Sequence, residues 1–326
     1  MQQRPLGRSG LAVSRLALGT MTWGRDTDAD DAAAQLKSFL DAGGNLVDTA
    51  DVYVDGEAES VIGELLGSLV ARDDLVIATK AGLRPGAARR RDGSRSHLLG
   101  SLDASLRRLG TDHVDLWQVH GYDTDTPLEE TLTALDHAVA SGRVRYVGVS
   151  NFSAWQTARA ATWQSAFPGR APIVATQMEY SLLERGVERE VAPAAAALGL
   201  GLLPWSPLGR GVLTGKYRHG RPADSRAASP HFEPFVAPYL EPRCSSIVEA
   251  VVTAAGGLGV SPLEVALAWV RDRPGVVAPI LGARTVGQLL GALAVEEMEL
   301  PAEITQALDD VSAIPVGYPE RDGSSY

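Results

Sequence analysis

Cysteine is almost absent from this 326-residue chain. The single cysteine, Cys244, excludes an intrachain disulfide, so nothing points to an oxidising compartment. Long apolar runs are also missing, because no stretch approaches the roughly 18 apolar residues that a membrane-spanning helix requires. The first residues, MQQRPLGRSG, lack the apolar core of a secretion signal. We therefore expect a cytoplasmic protein without a membrane partner.

Positive charge is scarce as well. The chain has 30 lysines and arginines against 40 aspartates and glutamates, which gives a formal net charge of -10. Binding to nucleic acid requires a concentrated basic surface, and the overall sign is wrong for one. We expect a small-molecule partner and no nucleic acid; the sequence carries no signal of oligomeric state.

The two common nucleotide-binding motifs are missing too. Gly209 and Gly211 begin a dinucleotide fingerprint, but Thr214 stands where its last glycine is needed. The segment TGKY is not a phosphate-binding loop, because Arg210 replaces the first glycine of that motif. Any nucleotide site must therefore use other residues.

What the sequence does contain is a regular series of short apolar runs. Eight candidate strands begin near residues Arg15, Asn45, Leu75, Val114, Val144, Ile173, Gly201 and Val276. Most steps are about thirty residues, the size of one strand-helix unit. Segments with helical spacing lie between them, each opening with Asp, Ser or Pro and closing on Gly.

This alternation predicts an α/β fold, namely a (β/α)8 TIM barrel in a single domain over residues 1–326. The barrel core is expected at about 15–297, with a C-terminal helix and tail over 298–326. The segment PLGRSGLAVSRL predicts an N-terminal hairpin, and the long aperiodic stretch 207–243 predicts a lid or clamp after strand seven. A doubly wound open sheet is the alternative, but its nicotinamide-binding form needs the glycine fingerprint.

Three consecutive strands end in polar residues suited to proton transfer. Asp48 ends strand two with Tyr53 five residues later, Lys80 ends strand three, and His120 ends strand four. Because strand ends of a barrel converge on one mouth, these groups should meet there. The lysine would lower the pKa of the phenol, the aspartate would hold the lysine, and the histidine would orient a substrate oxygen.

Each residue also has a plainer interpretation. A lone Asp after a strand is commonly a helix cap, and Tyr or His is often a packed side chain. Lys80 is less ordinary, since the chain has only three lysines and this one closes an apolar strand. It could snorkel at the barrel rim, or act as the nucleophile of a Schiff-base lyase.

The ordered motifs NLVDTADVY, VIATKAG, LWQVH, GVSNF, QMEYSLLER, PWSPLGRGVLTGKY and ILGART resemble those of the aldo-keto reductase superfamily. Asp48, Tyr53, Lys80 and His120 match its catalytic residues one for one. The resemblance implies an NADPH-dependent oxidoreductase that reduces aldehydes or ketones, with Tyr53 as general acid and no metal. Channel-associated β subunits resemble the same family, so a cofactor-binding sensor with little turnover is the alternative.

The resemblance also implies the cofactor residues. Ser150, Asn151 and Gln177 would bind the nicotinamide carboxamide, and Trp205 would stack on the ring. The remaining residues of the implied cofactor site are Gly19, Thr20, Met21, Asp48, Ser206, Pro207, Leu208, Arg210, Lys216, Arg226, Gly282, Arg284 and Gln288.

Arg284 opens a helix after strand eight, where amide groups suit an anion, so we expect it to bind the 2′-phosphate that distinguishes NADPH. Gly291 and Ala292 depart from the Glu and Asn that the family usually offers to the adenine.

Trp23, Tyr53 and His120, with Trp117 beside them, predict an aromatic substrate pocket. The loop RPGAARRRDGSR places five arginines on the same side of the barrel. That loop is either a site for an anionic substrate or, more simply, a solvated basic loop.

Overall fold

The first element is a hairpin that covers one end of the fold. In the computed structural model, which describes residues 1–223, 225–229, 232–315 and 317–318, strand β1 (Gln3–Pro5) pairs antiparallel with β2 (Ala12–Ser14). Leu6 and Val13 are fully buried against the starts of the barrel strands. This closes the end of the barrel at which the strands begin, called the base below; the other end is called the mouth.

Eight parallel strands form the barrel, as predicted. In chain order they are β3 (Ala17–Gly19), β4 (Leu46–Asp48), β5 (Val76–Ala81), β6 (Val114–Val119), β7 (Val144–Ser150), β8 (Ile173–Glu179), β9 (Gly201–Trp205) and β10 (Ile280–Leu281). Neighbours along the sheet follow chain order from β3 to β9, and β10 pairs with β3.

The last strand begins later than the sequence predicts. Val276 makes only an isolated bridge to Leu202, with Val277 N–H donating to Leu202 O at 2.9 Å. Pro279, which has no N–H to donate, directly precedes β10, so the pairing is interrupted at that position. The barrel therefore closes between β9 and β10 by a few contacts rather than a full ladder.

Helices surround the barrel. They are α1 (Ala29–Asp41), α2 (Glu57–Leu65), α3 (Arg95–Leu109), α4 (Leu128–Ala140), α5 (Ala154–Ala166), α6 (Val191–Leu198), α7 (Glu233–Val236), α8 (Pro242–Leu258), α9 (Pro262–Arg271), α10 (Val286–Leu293) and α11 (Ala302–Val311). Asp28 and Ser94 cap α1 and α3 through their side chains, and Gly110 ends α3 at a φ of 62°.

The long connection after β9 has short helical turns among its described residues. It contains short 3₁₀ helices at Gly209–Thr214, Arg226–Ala228 and Ala237–Tyr239, besides α7. The sequence missed these turns because none is long enough to show a hydrophobic period. Within the described part of the chain, no single helix is long and apolar enough to cross a membrane, and α8 with α9 passes that test only as a pair bent by 104°.

Candidate active site at the mouth of the barrel

The structure brings the four predicted catalytic residues together. Lys80 Nζ, which is fully buried, donates to Asp48 Oδ2 at 2.7 Å and to Thr49 O at 2.7 Å. The same nitrogen lies 3.4 Å from Tyr53 Oη. All three ammonium protons thus have an acceptor, and one of them is aimed at the phenol.

The pKa of Tyr53 differs from the sequence-based expectation. Burial raises the pKa of the phenol, and Lys80 opposes that rise without cancelling it, so the net direction is upward. Burial alone would lower the pKa of Lys80, but Asp48 and Tyr53 together raise it. The two effects keep both the phenol and the ammonium protonated at neutral pH.

His120 lies against Tyr53 at the cavity wall. Their rings meet edge to face, with centroids 6.0 Å apart. Burial, followed by the nearby charges of Lys80 and Arg91, holds the pKa of His120 well below its usual value. The imidazole is therefore neutral, and its buried Nδ1 has no hydrogen-bond partner within the described part of the chain.

The backbone before α2 positions Tyr53. Glu59 in α2 is fully buried and accepts two hydrogen bonds from Arg108 of α3, at 2.9 and 2.6 Å, and one from Thr79 of β5 at 2.5 Å. Gly56 has a φ of 96°, and a Cβ there would come within 2.7 Å of Arg108 Nε. This ion pair therefore fixes the turn that carries the phenol.

A set of amide side chains follows the next strands. Asn151 donates through Nδ2 to His120 O at 3.0 Å and accepts from Trp205 Nε1 at 3.0 Å. Gln177 Nε2 donates to Asp48 Oδ1 at 2.8 Å, which leaves its carbonyl oxygen as an acceptor. Ser150 Oγ donates to Gln177 O at 3.0 Å. Asn151 adopts a φ of 57°, which asparagine tolerates better than most residues.

A cavity of about 530 Å³ opens beside these groups. Its lining includes all the residues assigned to the cofactor whose side chains the structure describes: Gly19, Thr20, Met21, Asp48, Ser150, Asn151, Gln177, Trp205, Ser206, Pro207, Leu208, Arg210, Lys216, Gly282, Arg284 and Gln288. Tyr53 and His120 line it as well. For Arg226 the structure describes the backbone, and its side chain lies outside the described part.

The cationic residues of the cavity belong to the connections after β9 and β10. Arg284 is held through its backbone: its N–H donates to Gln288 Oε1 at 2.9 Å, and its carbonyl accepts from Thr27 Oγ1 at 3.2 Å. Thr285 caps α10 directly after it. Lys216 also lines the cavity. These cations, together with the amide side chains near the four predicted catalytic residues, suit a ligand with a carboxamide and phosphates.

Arg210, which the resemblance assigns to the cofactor site, lines the cavity but is also engaged within the protein. Its guanidinium donates to both carboxylate oxygens of Glu179, at 2.8 and 2.6 Å, and lies 3.9 Å from the centre of the Phe235 ring. It also donates to the Phe235 carbonyl. Arg210 therefore ties the long connection to β8, and much of its charge is balanced within the protein.

Some residues stand apart from the predictions. Trp23 is fully buried, with Nε1 donating to Gln35 Oε1 at 3.3 Å, and Trp117 is also buried in the core, so neither lines the cavity. Sequence reasoning missed Phe235, whose ring lies nearly parallel to Trp205 with centroids 6.4 Å apart. It follows no strand and belongs to the aperiodic connection, so no pattern could have identified it.

Comparison with known proteins identifies sequences that this chain resembles over nearly its whole length. The sequence model of the Aldo/keto reductase family matches residues 15–313. The chain is similar to the uncharacterized oxidoreductase YrpG of Bacillus subtilis, at 38% identity over 97% of this chain and 98% of that protein. It is 31% identical to the aldo-keto reductase YhdN of the same organism, over 97% and 96% of the two chains.

A third relative has a different role in its name. A probable voltage-gated potassium channel subunit beta of Oryza sativa subsp. japonica is 36% identical over 99% of both chains. Within the described part of the chain, no group of His, Cys, Asp or Glu could hold a metal ion. The family match covers nearly the whole barrel, and this chain belongs to the aldo/keto reductase family.

Proposed function

We propose that the protein reduces aldehydes or ketones to alcohols with NADPH as hydride donor. The observation that carries the proposal is the 3.4 Å approach of Lys80 Nζ to Tyr53 Oη at the wall of the cavity. The cofactor supplies the hydride when bound. Ser150, Asn151 and Gln177 would hold its carboxamide, and Trp205 would pack on its ring.

Tyr53 acts as the general acid. A carbonyl oxygen that receives a proton as hydride reaches carbon needs a donor that is protonated beforehand, and the raised pKa of the phenol meets that need. Lys80 stabilises the phenolate once the proton has left, because its positive charge lies beside the oxygen. Neutral His120 orients the substrate oxygen by hydrogen bonding.

We further propose NADPH rather than NADH. Arg284 and Lys216 line the cavity, and Arg284 directly precedes the capped N-terminus of α10. A guanidinium there can grip the 2′-phosphate through two parallel hydrogen bonds, which NADH cannot use. We also propose that the substrate is a small carbonyl compound, that the protein acts in the cytoplasm, and that it binds neither nucleic acid nor a membrane.

A regulatory subunit is the second candidate. The similarity to potassium channel β subunits favours a protein that binds NADPH and turns it over little. Turnover decides between the two functions, because the proposed enzyme oxidises NADPH in the presence of a carbonyl compound and a sensor does not. A Schiff-base lyase has less support: Lys80 is enclosed by three acceptors, and its pKa is raised, whereas a nucleophilic amine must be neutral.

The experiment compares the wild-type protein with Tyr53→Phe. Wild-type protein should oxidise NADPH in the presence of 4-nitrobenzaldehyde. Tyr53→Phe should bind NADPH with unchanged affinity in a fluorescence titration and lose reduction by about 100-fold or more, the usual contribution of a general acid. Full turnover by Tyr53→Phe would overturn the acid assignment.

A further inference from the structure

The arginines of the loop after β5, residues 84–95, differ in whether a carboxylate balances their charge. Arg89 donates to Asp123 Oδ2 at 2.6 Å, and Arg84 donates to Asp92 Oδ2 at 3.2 Å. Asp123 and Asp92 are both buried. The Arg89–Asp123 pair holds the loop against the connection after β6, and the Arg84–Asp92 pair closes the loop on itself. The charges of Arg84 and Arg89 are thereby balanced.

Arg91 differs from these neighbours. Its side chain is exposed, and no carboxylate among the residues the structure describes forms an ion pair with it. Its Nη1 donates to Tyr122 O at 3.2 Å, and a Cβ on Gly121 would lie 3.0 Å from its Nε. The glycine that follows His120 therefore leaves the space in which this guanidinium lies.

This position adjoins the reacting end of the site. Gly121 and Tyr122 come directly after His120, and the charge of Arg91 contributes to the low pKa of that imidazole. The Tyr122 ring meets Trp155 edge to face at 5.7 Å, and Trp155 is 59% exposed. Tyr122 thus contacts both a cation and an exposed aromatic ring, and all three residues lie beside His120, just outside the residues that line the cavity.

We propose that Arg91 binds a carboxylate on the substrate, so that the preferred substrates are carbonyl compounds with an apolar body and an anionic group at the far end. This inference rests on the proposed function and narrows its substrate class. A guanidinium with free donors forms charge-assisted hydrogen bonds to a carboxylate, and Trp155 covers the apolar body. The remaining loop arginines are not required for this recognition.

The test compares 4-carboxybenzaldehyde with its neutral methyl ester, methyl 4-formylbenzoate. For the wild-type protein, kcat/KM for the acid should exceed that for the ester, and 0.5 M NaCl should reduce the difference by screening. Arg91→Gln should lower the acid-to-ester ratio about tenfold, as one charge-assisted hydrogen bond predicts, mainly through KM of the acid. Arg90→Gln, an equal charge loss at an exposed neighbour, is the matched control.

Three results would overturn the inference. The acid-to-ester ratio could be unchanged in Arg91→Gln, or could fall equally in Arg90→Gln. Alternatively, kcat could fall equally for both substrates with a shifted pH profile, which would mean that Arg91 acts only through His120. In each case turnover of the ester would leave the proposed function standing, whereas absence of turnover with every aldehyde would remove both.

Discussion

At the scale of single residues, burial decides the chemistry as much as contact does. The sequence predicts that Lys80 lowers the pKa of Tyr53, as an ammonium would beside a solvent-exposed phenol. In the folded chain the loss of solvent outweighs the attraction of the ammonium, and the pKa of the phenol rises.

Arg284 gives a prediction about cofactor choice. Arg284→Ala should weaken NADPH binding by about 10- to 100-fold, as loss of charge-assisted hydrogen bonds to a phosphate predicts, and should leave NADH binding almost unchanged. Titration of protein fluorescence with each cofactor measures both constants. An equal loss for the two cofactors would contradict the phosphate role.

Asp51 gives a prediction about pH. Burial, then the charge of Glu59, raises the pKa of Asp51 to about 7. Because the folded chain holds this proton more tightly than the unfolded chain does, the contribution of Asp51 to stability is present below pH 4 and is lost as pH rises through about 7. Asp51→Asn should therefore reduce the fall in unfolding free energy between pH 5 and pH 8, measured by urea denaturation.

Asp123 serves as the comparison of opposite sign. Its pKa is lowered to about 2: burial opposes this shift, but hydrogen bonds from Thr126, the Gly93 and Asp125 amides and Arg89 together overcome it. Its contribution to stability is present above pH 4 and is lost as pH falls towards 2. Asp123→Asn should leave the fall in unfolding free energy between pH 5 and pH 8 as it is in the wild type. A change in that fall would count against Asp51 as its cause.

At the scale of elements, glycine-to-alanine substitutions within helices test how backbone entropy and packing contribute to the unfolding free energy. Gly100 lies within α3, and a Cβ there would meet no atom within 4 Å. Gly100→Ala should therefore raise the unfolding free energy by about 0.5–1 kcal/mol, because alanine loses less backbone entropy in a helix. Gly63 in α2 is the matched control, since its Cβ would come within 2.3 Å of Arg108 O.

Gly63→Ala should destabilise the protein, because the clash is with backbone that cannot move aside cheaply. Chemical denaturation of both variants measures the two changes. Equal effects of the same sign would mean that helix propensity or helix packing has been misjudged at one of the positions.

The order of strands and helices could be predicted from the sequence, whereas the contacts of the irregular connections could not. Strand and helix order followed from runs of apolar residues, and Lys80 was identified because a lysine at the end of an apolar strand is unusual. The engagement of Arg210 with Glu179, and the approach of Phe235 to Trp205, depend on how an aperiodic connection folds back. The sequence assigns Trp23 to the pocket, but its side chain packs in the core beside α1. Packing sets that side-chain direction, and no local sequence pattern encodes it.

At the scale of the whole molecule, one side chain ties the N-terminal hairpin to the end of α9 and to the segment that leads into β10. Arg4 in the N-terminal hairpin donates through Nη1 to Arg271 O at 2.9 Å, to Val276 O at 3.0 Å and to Val277 O at 3.4 Å. These carbonyls lie at the base, where β9 and β10 make few contacts. Arg4 therefore reinforces the closure of the barrel.

Arg4→Met should lower the unfolding free energy by about 1–3 kcal/mol, since it leaves these carbonyls without their donor. Arg95→Met, at an exposed position that opens α3, should change it by less than about 0.5 kcal/mol. Urea titration followed by circular dichroism provides the measurement. Equal effects of the two substitutions would show that the closure of the barrel between β9 and β10 does not depend on the Arg4 guanidinium.

The placement of amino groups affects how the protein can be attached to a solid support. The Lys37 side chain, 63% exposed, lies in the second half of α1, which runs from the mouth back to the base. The Met1 amino group donates to Ala42 O at 3.0 Å, directly after that helix ends. The third lysine, Lys216, is exposed at the mouth and would be coupled as well. In a Lys216→Arg variant, amine-directed coupling would hold the chain by its base and leave the mouth facing the solution, while buried Lys80 stays out of reach of the reagent.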